Sequence, residues 1–454
     1  MAGAPPPPRG RRDRGDRAHG GPRAIRGDAR PGRNRGSLRG GGGGPTRPLH
    51  RGREAAGGFS HVTEPLSPEG ATRQSRLVLL VVCAAIFLET LQFSILAPVL
   101  PVLAAEFGLT DLSAGVVNSA YALGLVVFAI PGGRVAARVD ERIAVGVGLA
   151  IIGVATAWFS IAGVPWQLGA ARFVAGAASA LVWAGGMAWV SSTGPRSTQA
   201  TRLAMVISSA IIGSLVGPAL GTLSTVVGRL PVFLAIAVVA WVLIVPIWRL
   251  GETHSTVVTS EKGLRRLLGS ARVALGVTFF IGVFFAVFCV LIPLEAVSLG
   301  ASATVVGFAF IVGSLGQALL SPLIGRLTDS RGAIRVMSAA LGASAIVTLG
   351  LVVAPGALGP VVVLAVLFPV GGAVYTPTSV AVDHAAHRLA LAPAIAFSAW
   401  NLLWALGVAI GSVAGPAVAG FTGNSAVYIV LAAVSAGLAF VCWRSRSSDG
   451  PSTS

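Results

Sequence analysis

Twelve runs of about twenty apolar residues recur along this chain, each long enough to cross a hydrocarbon layer of roughly 30 Å as a helix. That repetition excludes most folds. Lipid offers no partner to an open backbone N–H or C=O, so a crossing segment must be a helix or part of a closed barrel. Barrel strands would read as short segments of alternating polarity, whereas these runs are continuous. They lie near residues 77–101, 113–132, 143–162, 165–190, 200–225 and 230–249, and again near 273–297, 304–324, 334–354, 360–382, 391–420 and 425–443. Only 11% of residues are charged, against about 25% in a typical soluble domain. The expected class is an all-α membrane protein of twelve transmembrane helices.

The net charge of +17 would suggest nucleic acid in a soluble protein, but its distribution suggests a membrane instead. Residues 1–76 hold sixteen Arg among many Gly and Pro, the composition of a disordered tail. They lack the apolar core and cleavage site of a signal peptide. The plain reading is a solvated tail, or translated sequence upstream of the true start; nonspecific attraction to acidic lipid or RNA is the lesser alternative, and no specific nucleic acid is expected. Connections on one side collect Arg134, Arg138, Arg142, Arg196, Arg202, the Lys262–Arg272 stretch, Arg326, Arg331, Arg335, Arg388 and Arg444. Those on the other carry Arg229 beside Glu106 and Asp111. Basic loops stay cytoplasmic, which places both termini and the 250–272 linker inside, with the plasma membrane as the location. The expected domains are the 1–76 tail, a six-helix bundle over 77–249, the linker, a second bundle over 273–443, and a 444–454 tail. Cys83, Cys289 and Cys442 lie far apart in apolar segments and read as small packing residues.

The two bundles look like one unit used twice. Leu96-Ala97-Pro98 ends span 1 and Leu291-Ile292-Pro293 ends span 7, an offset of 195 (98 to 293). Gly133 after span 2 matches Gly325 after span 8, an offset of 192. Gly213-x-x-x-Gly217-Pro218 in span 5 matches Gly411-x-x-x-Gly415-Pro416 in span 11, an offset of 198. Parallel repeats of this kind place a substrate site between the halves near the midplane, with rocking as the route to alternating access.

These residues resemble the major facilitator superfamily over about residues 75–445. The loop after span 8, Gly325-Arg-Leu-Thr-Asp329-Ser-Arg331-Gly332, is similar to the family's inner-loop motif, whose Asp and basic residues latch helices together at the cytoplasmic face. The resemblance therefore implies a latch of Gly133, Arg138, Gly325, Asp329 and Arg331. The loop after span 2 departs from the motif, with Ala137 where the Asp belongs. Gly213, Gly217, Pro218 and Gly221 resemble the antiporter motif of the twelve-span drug:proton antiporter group. Glycines four apart also let helices pack closely, and Pro bends them, whatever the direction of transport. Both readings stay open.

Most ionisable residues sit at span ends; Glu89 and Arg172 do not. A charge at a helix centre costs about 2.5–3.5 kcal/mol on insertion scales, so such residues face a cavity, pair, or change protonation. Glu89 is roughly 20 Å into span 1 from the basic side, and Arg172 roughly 8 Å into span 4 from the other. Their depths are similar, which suits a direct or water-bridged pair: a static tie, or the site of proton coupling. Adding the repeat offset lands Glu89 on Phe284 and Arg172 on Phe368, so the second half offers an apolar wall. Gln92 shares a face with Glu89, and Ser179 and Trp183 share one with Arg172. Asn118 and Tyr121 on span 2, Gln317 on span 8, and Trp400, Asn401 and Trp404 on span 11 complete the expected substrate cavity, which suits an amphipathic or lipophilic organic solute. Glu295, at the far end of span 7, is a second candidate acid. His384 and His387 fall in the loop after span 10, and no metal is expected.

A Walker A loop is absent from the sequence, and no cofactor is expected. The reading is a secondary transporter, monomeric, with a small molecule and a proton as partners. Export by exchange leads, uptake by symport is the alternative, and a receptor or membrane enzyme is the reading from another class.

Overall fold

The computed structural model describes residues 68–109, 111–250, 261–353 and 356–445. Most of the expected N-terminal tail, residues 251–260 of the linker and nearly all of the C-terminal tail lie outside the described residues. The first half comprises α1 (Pro68–Ser94), α2 (Leu96–Phe107), α3 (Asp111–Ala136), α4 (Glu141–Ile161), α5 (Pro165–Ser192), α6 (Gln199–Val227), α7 (Arg229–Val242) and α8 (Ile244–Arg249). A linker helix, α9 (Glu261–Ser270), precedes the second half: α10 (Arg272–Ser298), α11 (Ala303–Arg331), α12 (Ala333–Val353), α13 (Leu358–Gly372), α14 (Tyr375–Arg388), α15 (Pro393–Thr422) and α16 (Asn424–Ser445). Among the described residues these helices, singly or end to end, make twelve segments long and apolar enough to cross a membrane.

Three spans are broken, and the sequence supplies a reason for each. The α1–α2 break falls at Ile95, and Pro98 has no N–H to return to the carbonyl of Ser94. The α13–α14 break follows Pro369 and the Gly371-Gly372 pair. The α7–α8 break at Leu243 repeats the first, since Pro246 has no N–H to return to the carbonyl of Val242. Two helices also outrun their expected ends. No Gly or Pro interrupts Arg326–Arg331, so α11 stays helical until Gly332. The Gly325–Arg331 segment is therefore a helix end, not a loop. Likewise α14 carries His384 and His387 on a helix rather than in a loop.

Packing repeats between the halves. α1 lies on α6, α3 on α5 and α4 on α7, just as α10 lies on α15, α11 on α13 and α12 on α16. Between the halves the pairs swap: α11 packs on α6, and α3 on α15. The glycines make these approaches possible. A Cβ on Gly213, Gly217 or Gly221 of α6 would run into Phe87 O, Leu91 O or Ile95 O of the first span, one contact per turn. In the second half Gly407, Gly411 and Gly415 of α15 meet Phe279 O, Val283 O and Val287 of α10 in the same way.

Large apolar side chains cover the outside, with Phe421 93% and Val353 79% exposed. An apolar surface of this kind requires lipid around it. α9 turns Leu264 and Leu267 inward and leaves Arg265 and Arg266 exposed.

Candidate functional site

The centre of the site is Glu89, 3% exposed on α1. Close packing of α3 on α5 builds its surroundings. A Cβ on Gly176 would collide with Tyr121 O, and one on Gly124 with Phe173 O, so the two backbones touch. That contact brings Tyr121 of α3 beside Ser179 of α5. Both hydroxyls donate to Glu89 Oε1, each at 2.5 Å. Trp183, one turn beyond Ser179, donates its indole N–H to Oε2 at 2.8 Å. Thr90 divides its single hydroxyl proton between Glu89 Oε2 at 3.0 Å and Ile86 O at 2.8 Å. The carboxyl is therefore held by three helices, with donors on both oxygens, an arrangement that suits an acceptor-only carboxylate.

Arg172 departs from its expected role. Among the described residues it makes no ion pair with Glu89. Its guanidinium donates to Gln92 O at 2.9 Å and Phe93 O at 3.0 Å. Those carbonyls belong to the last turn of α1, where the break at Ile95 leaves acceptors without intrahelical partners. A cation there also meets the negative end of the helix dipole. Arg172 thus caps a helix end inside the membrane. It approaches Glu89 only through Tyr121, whose ring centroid lies 4.7 Å from Arg172 Cζ and whose hydroxyl holds the carboxyl. A fork of two donors on two adjacent carbonyls is a geometry that lysine cannot reproduce.

The remaining residues divide. Gln92 is buried with Oε1 unpartnered among the described residues. Asn118 is exposed at the far end of α3. Gln317 is buried inside the second half, lying where a Cβ on Gly372 would be. Trp400 donates to Thr378 Oγ1 at 3.1 Å and Trp404 to the Tyr375 hydroxyl at 3.0 Å. Asn401 is buried between them in sequence. Phe285 stacks on Tyr375 with centroids 5.6 Å apart and meets both Phe284 and Phe368 edge-on. The positions equivalent to Glu89 and Arg172 are thus joined through one aromatic cluster, although Phe284 is fully buried and lines no open surface. Glu295 accepts from Asn424 at 3.1 Å and Tyr428 at 2.5 Å, which ties α10 to α16 within one half.

At the end carrying the basic loops, the halves are closed. Asp329 accepts from Ala200 N at 2.8 Å, Thr201 N at 2.9 Å and Thr201 Oγ1 at 2.6 Å. It therefore caps α6 from across the interface, with Gly325 packed on Thr201. The pseudo-equivalent contact sets Gly133 against Ser398 and Ala394 of α15. There Ala137 stands in the Asp position within one buried apolar cluster with Ala392, Ala394 and Phe397. Pro393 starts α15 without an N–H, so that helix end presents one donor fewer to be capped. Arg138 and Arg331 are exposed, and among the described residues they make no bond in the latch. Two participants were not expected. Gln199 donates to Asp383 Oδ2 at 2.5 Å, with His387 Nε2 3.4 Å from the same oxygen. Both lie just outside the apolar runs, on helices that extend beyond them. Midway along α6, Ser208 donates to Ala318 O at 2.8 Å. Hydrogen bonds between the halves among the described residues thus run from the basic end to about mid-depth.

The family described as Major Facilitator Superfamily matches residues 82–276 and 273–454. No curated protein matches the sequence. Among solved structures, the chain is similar to the E. coli fucose:proton symporter FucP (N162A), with 14% identity and a TM-score of 0.67. That match covers 82% of this chain and 99% of that one. A structure described as the transporter FucP in the outward conformation matches at 18% identity and a TM-score of 0.64, covering 82% of this chain and 99% of that one. At such identities the likeness shows the fold alone. With more than half of its length matched to the family, and with the twelve-helix fold to go with it, the chain belongs to the major facilitator superfamily and is a multi-pass membrane transporter, not an enzyme.

Proposed function

We propose that the protein is a proton-coupled transporter of small organic solutes in which Glu89 carries the proton. The observation that supports this most is a buried carboxyl held between three helices of one half. Its two oxygens are not equivalent. Oε2 faces an indole N–H, which only donates, beside the one hydroxyl of Thr90; Oε1 faces two hydroxyls, which donate or accept, and no fixed donor. A proton therefore enters on Oε1, with Ser179 or Tyr121 turning its hydroxyl to accept. Arg172 holds the α1 break beside the site and supplies positive charge across the Tyr121 ring. Gln92, Asn118, Gln317, Trp400, Asn401 and Trp404 are the proposed solute contacts. Export by exchange is the leading direction, from the resemblance of Gly213–Gly221 to the antiporter motif. One proton crossing 100 mV supplies about 2.3 kcal/mol, enough for roughly a fifty-fold gradient of a neutral solute. Symport is the second reading, favoured by the likeness to a fucose:proton symporter and by the near-identical packing of the α6 and α15 glycines. The basic loops support a plasma-membrane location with both termini cytoplasmic, and the protein acts as a monomer.

Proteoliposomes loaded with a pH dye test this. Fucose and a panel of lipophilic organic solutes are added in turn. A solute that moves protons in the opposite direction to itself supports exchange, and one that moves them alongside supports symport. Glu89→Gln should abolish the proton signal while leaving downhill solute flux. A full proton signal in that variant would remove Glu89 from the reading.

A further inference from the structure

We infer that Trp183 transmits the relative position of the two halves to the Glu89 carboxyl, which makes it the positioning residue that couples rocking to proton exchange. The inference rests on the proposed role of Glu89. Among the described residues every partner of that carboxyl belongs to the first half: Thr90 to α1, Tyr121 to α3, Ser179 and Trp183 to α5. Trp183 differs from the others in what its ring touches. It packs against the buried cluster built mainly from the first half and also against a cluster of the linker helix and second half that holds Leu267, Val382, Ala396, Ala399 and Trp400. One end of the indole thus sits in the seam between the halves, and the other holds Oε2 at 2.8 Å. When the halves part, the ring loses one of its walls and gains room to turn, and its N–H leaves Oε2. Only the divided proton of Thr90 then remains on that oxygen. The Tyr121 ring packs with Ala155 and Ala175 of its own half and travels with Glu89.

Few other charges face the carboxyl. α3 presents Tyr121, α5 presents Arg172 behind the Tyr121 ring, and α6 presents Gly213 and Gly217 to this stretch of α1. Tyr375 of α14 packs on the same second-half cluster as Trp183. None of these joins the two halves to Glu89 directly.

The test needs no solute. Infrared difference spectra of the full chain in liposomes, taken across a pH titration, resolve the protonated carboxyl of Glu89 as the band lost in Glu89→Gln. Trp183→Phe keeps a ring in the seam but removes the donor; its midpoint should move by about one pH unit. Trp400→Leu leaves the indole donor intact and loosens the wall behind it; its midpoint should move the same way by a smaller amount. Equal midpoints in all three proteins overturn the inference, as does a shift confined to Trp183→Phe, which would leave a hydrogen bond without transmission. Should Trp183→Phe fail to fold, an unmoved midpoint in Trp400→Leu overturns it alone. A wild-type protein without a titrating Glu89 band would instead sink the proposed proton site.

Discussion

Replacing Asp329 with Asn should open the end of the bundle that carries the basic loops. The Asp329 carboxylate takes two backbone N–H groups and a hydroxyl from the start of α6. Asn keeps one acceptor oxygen and puts an NH2 where the other was, so one backbone donor loses its partner and the NH2 faces it. A hydrogen bond to a charged group contributes about 1.5–3 kcal/mol, and a neutral one about 1. Three charged bonds reduced to two neutral ones therefore cost several kcal/mol at full burial. Asp329 is only half-buried, and water competes for the freed donors, which brings the loss to about 1.5–3 kcal/mol. At a tenfold change per 1.4 kcal/mol, the closed arrangement should lose about ten- to a hundredfold in population relative to the open one. Spin labels at the exposed positions Ser197 and Arg335, in a background without Cys83, Cys289 and Cys442, report the separation by double electron–electron resonance. The wild type should show one short distance, and Asp329→Asn a second, longer one with substantial weight. A distance distribution identical to wild type would refute the assignment of Asp329 as an inter-half tie and leave it a local cap.

Gly176→Ala should destabilise the protein by about 1–3 kcal/mol through overpacking, since a Cβ there meets Tyr121 O, whereas Gly169→Ala, with open space at its Cβ, should be silent; equal melting temperatures in detergent would contradict the contact. Tyr121→Phe leaves Ser179 as the one hydroxyl on Oε1 and should slow proton exchange several-fold without abolishing it, as read by stopped-flow pH-dye uptake. Arg172→Lys cannot fork across Gln92 O and Phe93 O, so it should lower thermal stability by about 1–2 kcal/mol, and a lysine variant as stable as wild type would count against the cap. Reporter fusions after Ser270 and at the C-terminus should both read cytoplasmic, and a signal from the opposite side in either would reverse the proposed orientation.

Much of this was legible in the sequence because membranes make the code simple. Twelve long apolar runs have few alternatives to helices, and repeated Gly and Pro positions expose the duplication. Glu89 stands out because charge in lipid is costly, and the 3.6-residue period placed Ser179 and Trp183 on one face. The partner of Arg172 was not legible. Its ligands are main-chain carbonyls freed by a helix break, and backbone groups carry no residue-type signal. Asp383 and Gln199 were missed for another reason: their helices run on past the apolar stretch, so hydropathy ends before the structure does. Arg138 and Arg331 fit a motif but remain exposed, since Asp329 uses backbone donors where a guanidinium was expected.

The two closed seams have drifted apart since their common origin, and they should answer differently to temperature. Where Asp329 caps α6, the seam is held by directional, charge-assisted bonds. Where Ala137 shares a buried apolar cluster with Ala392 and Phe397, at the end of α15 that Pro393 begins, it is held by apolar contact. Apolar association weakens on cooling, while hydrogen bonds of this kind do not share that dependence. In the cold the α3–α15 seam should part first, leaving the protein hinged on Asp329, and on warming the order of release should reverse. A pair of halves that began as copies would then open as a door does, from one edge, with the temperature selecting which edge is the hinge.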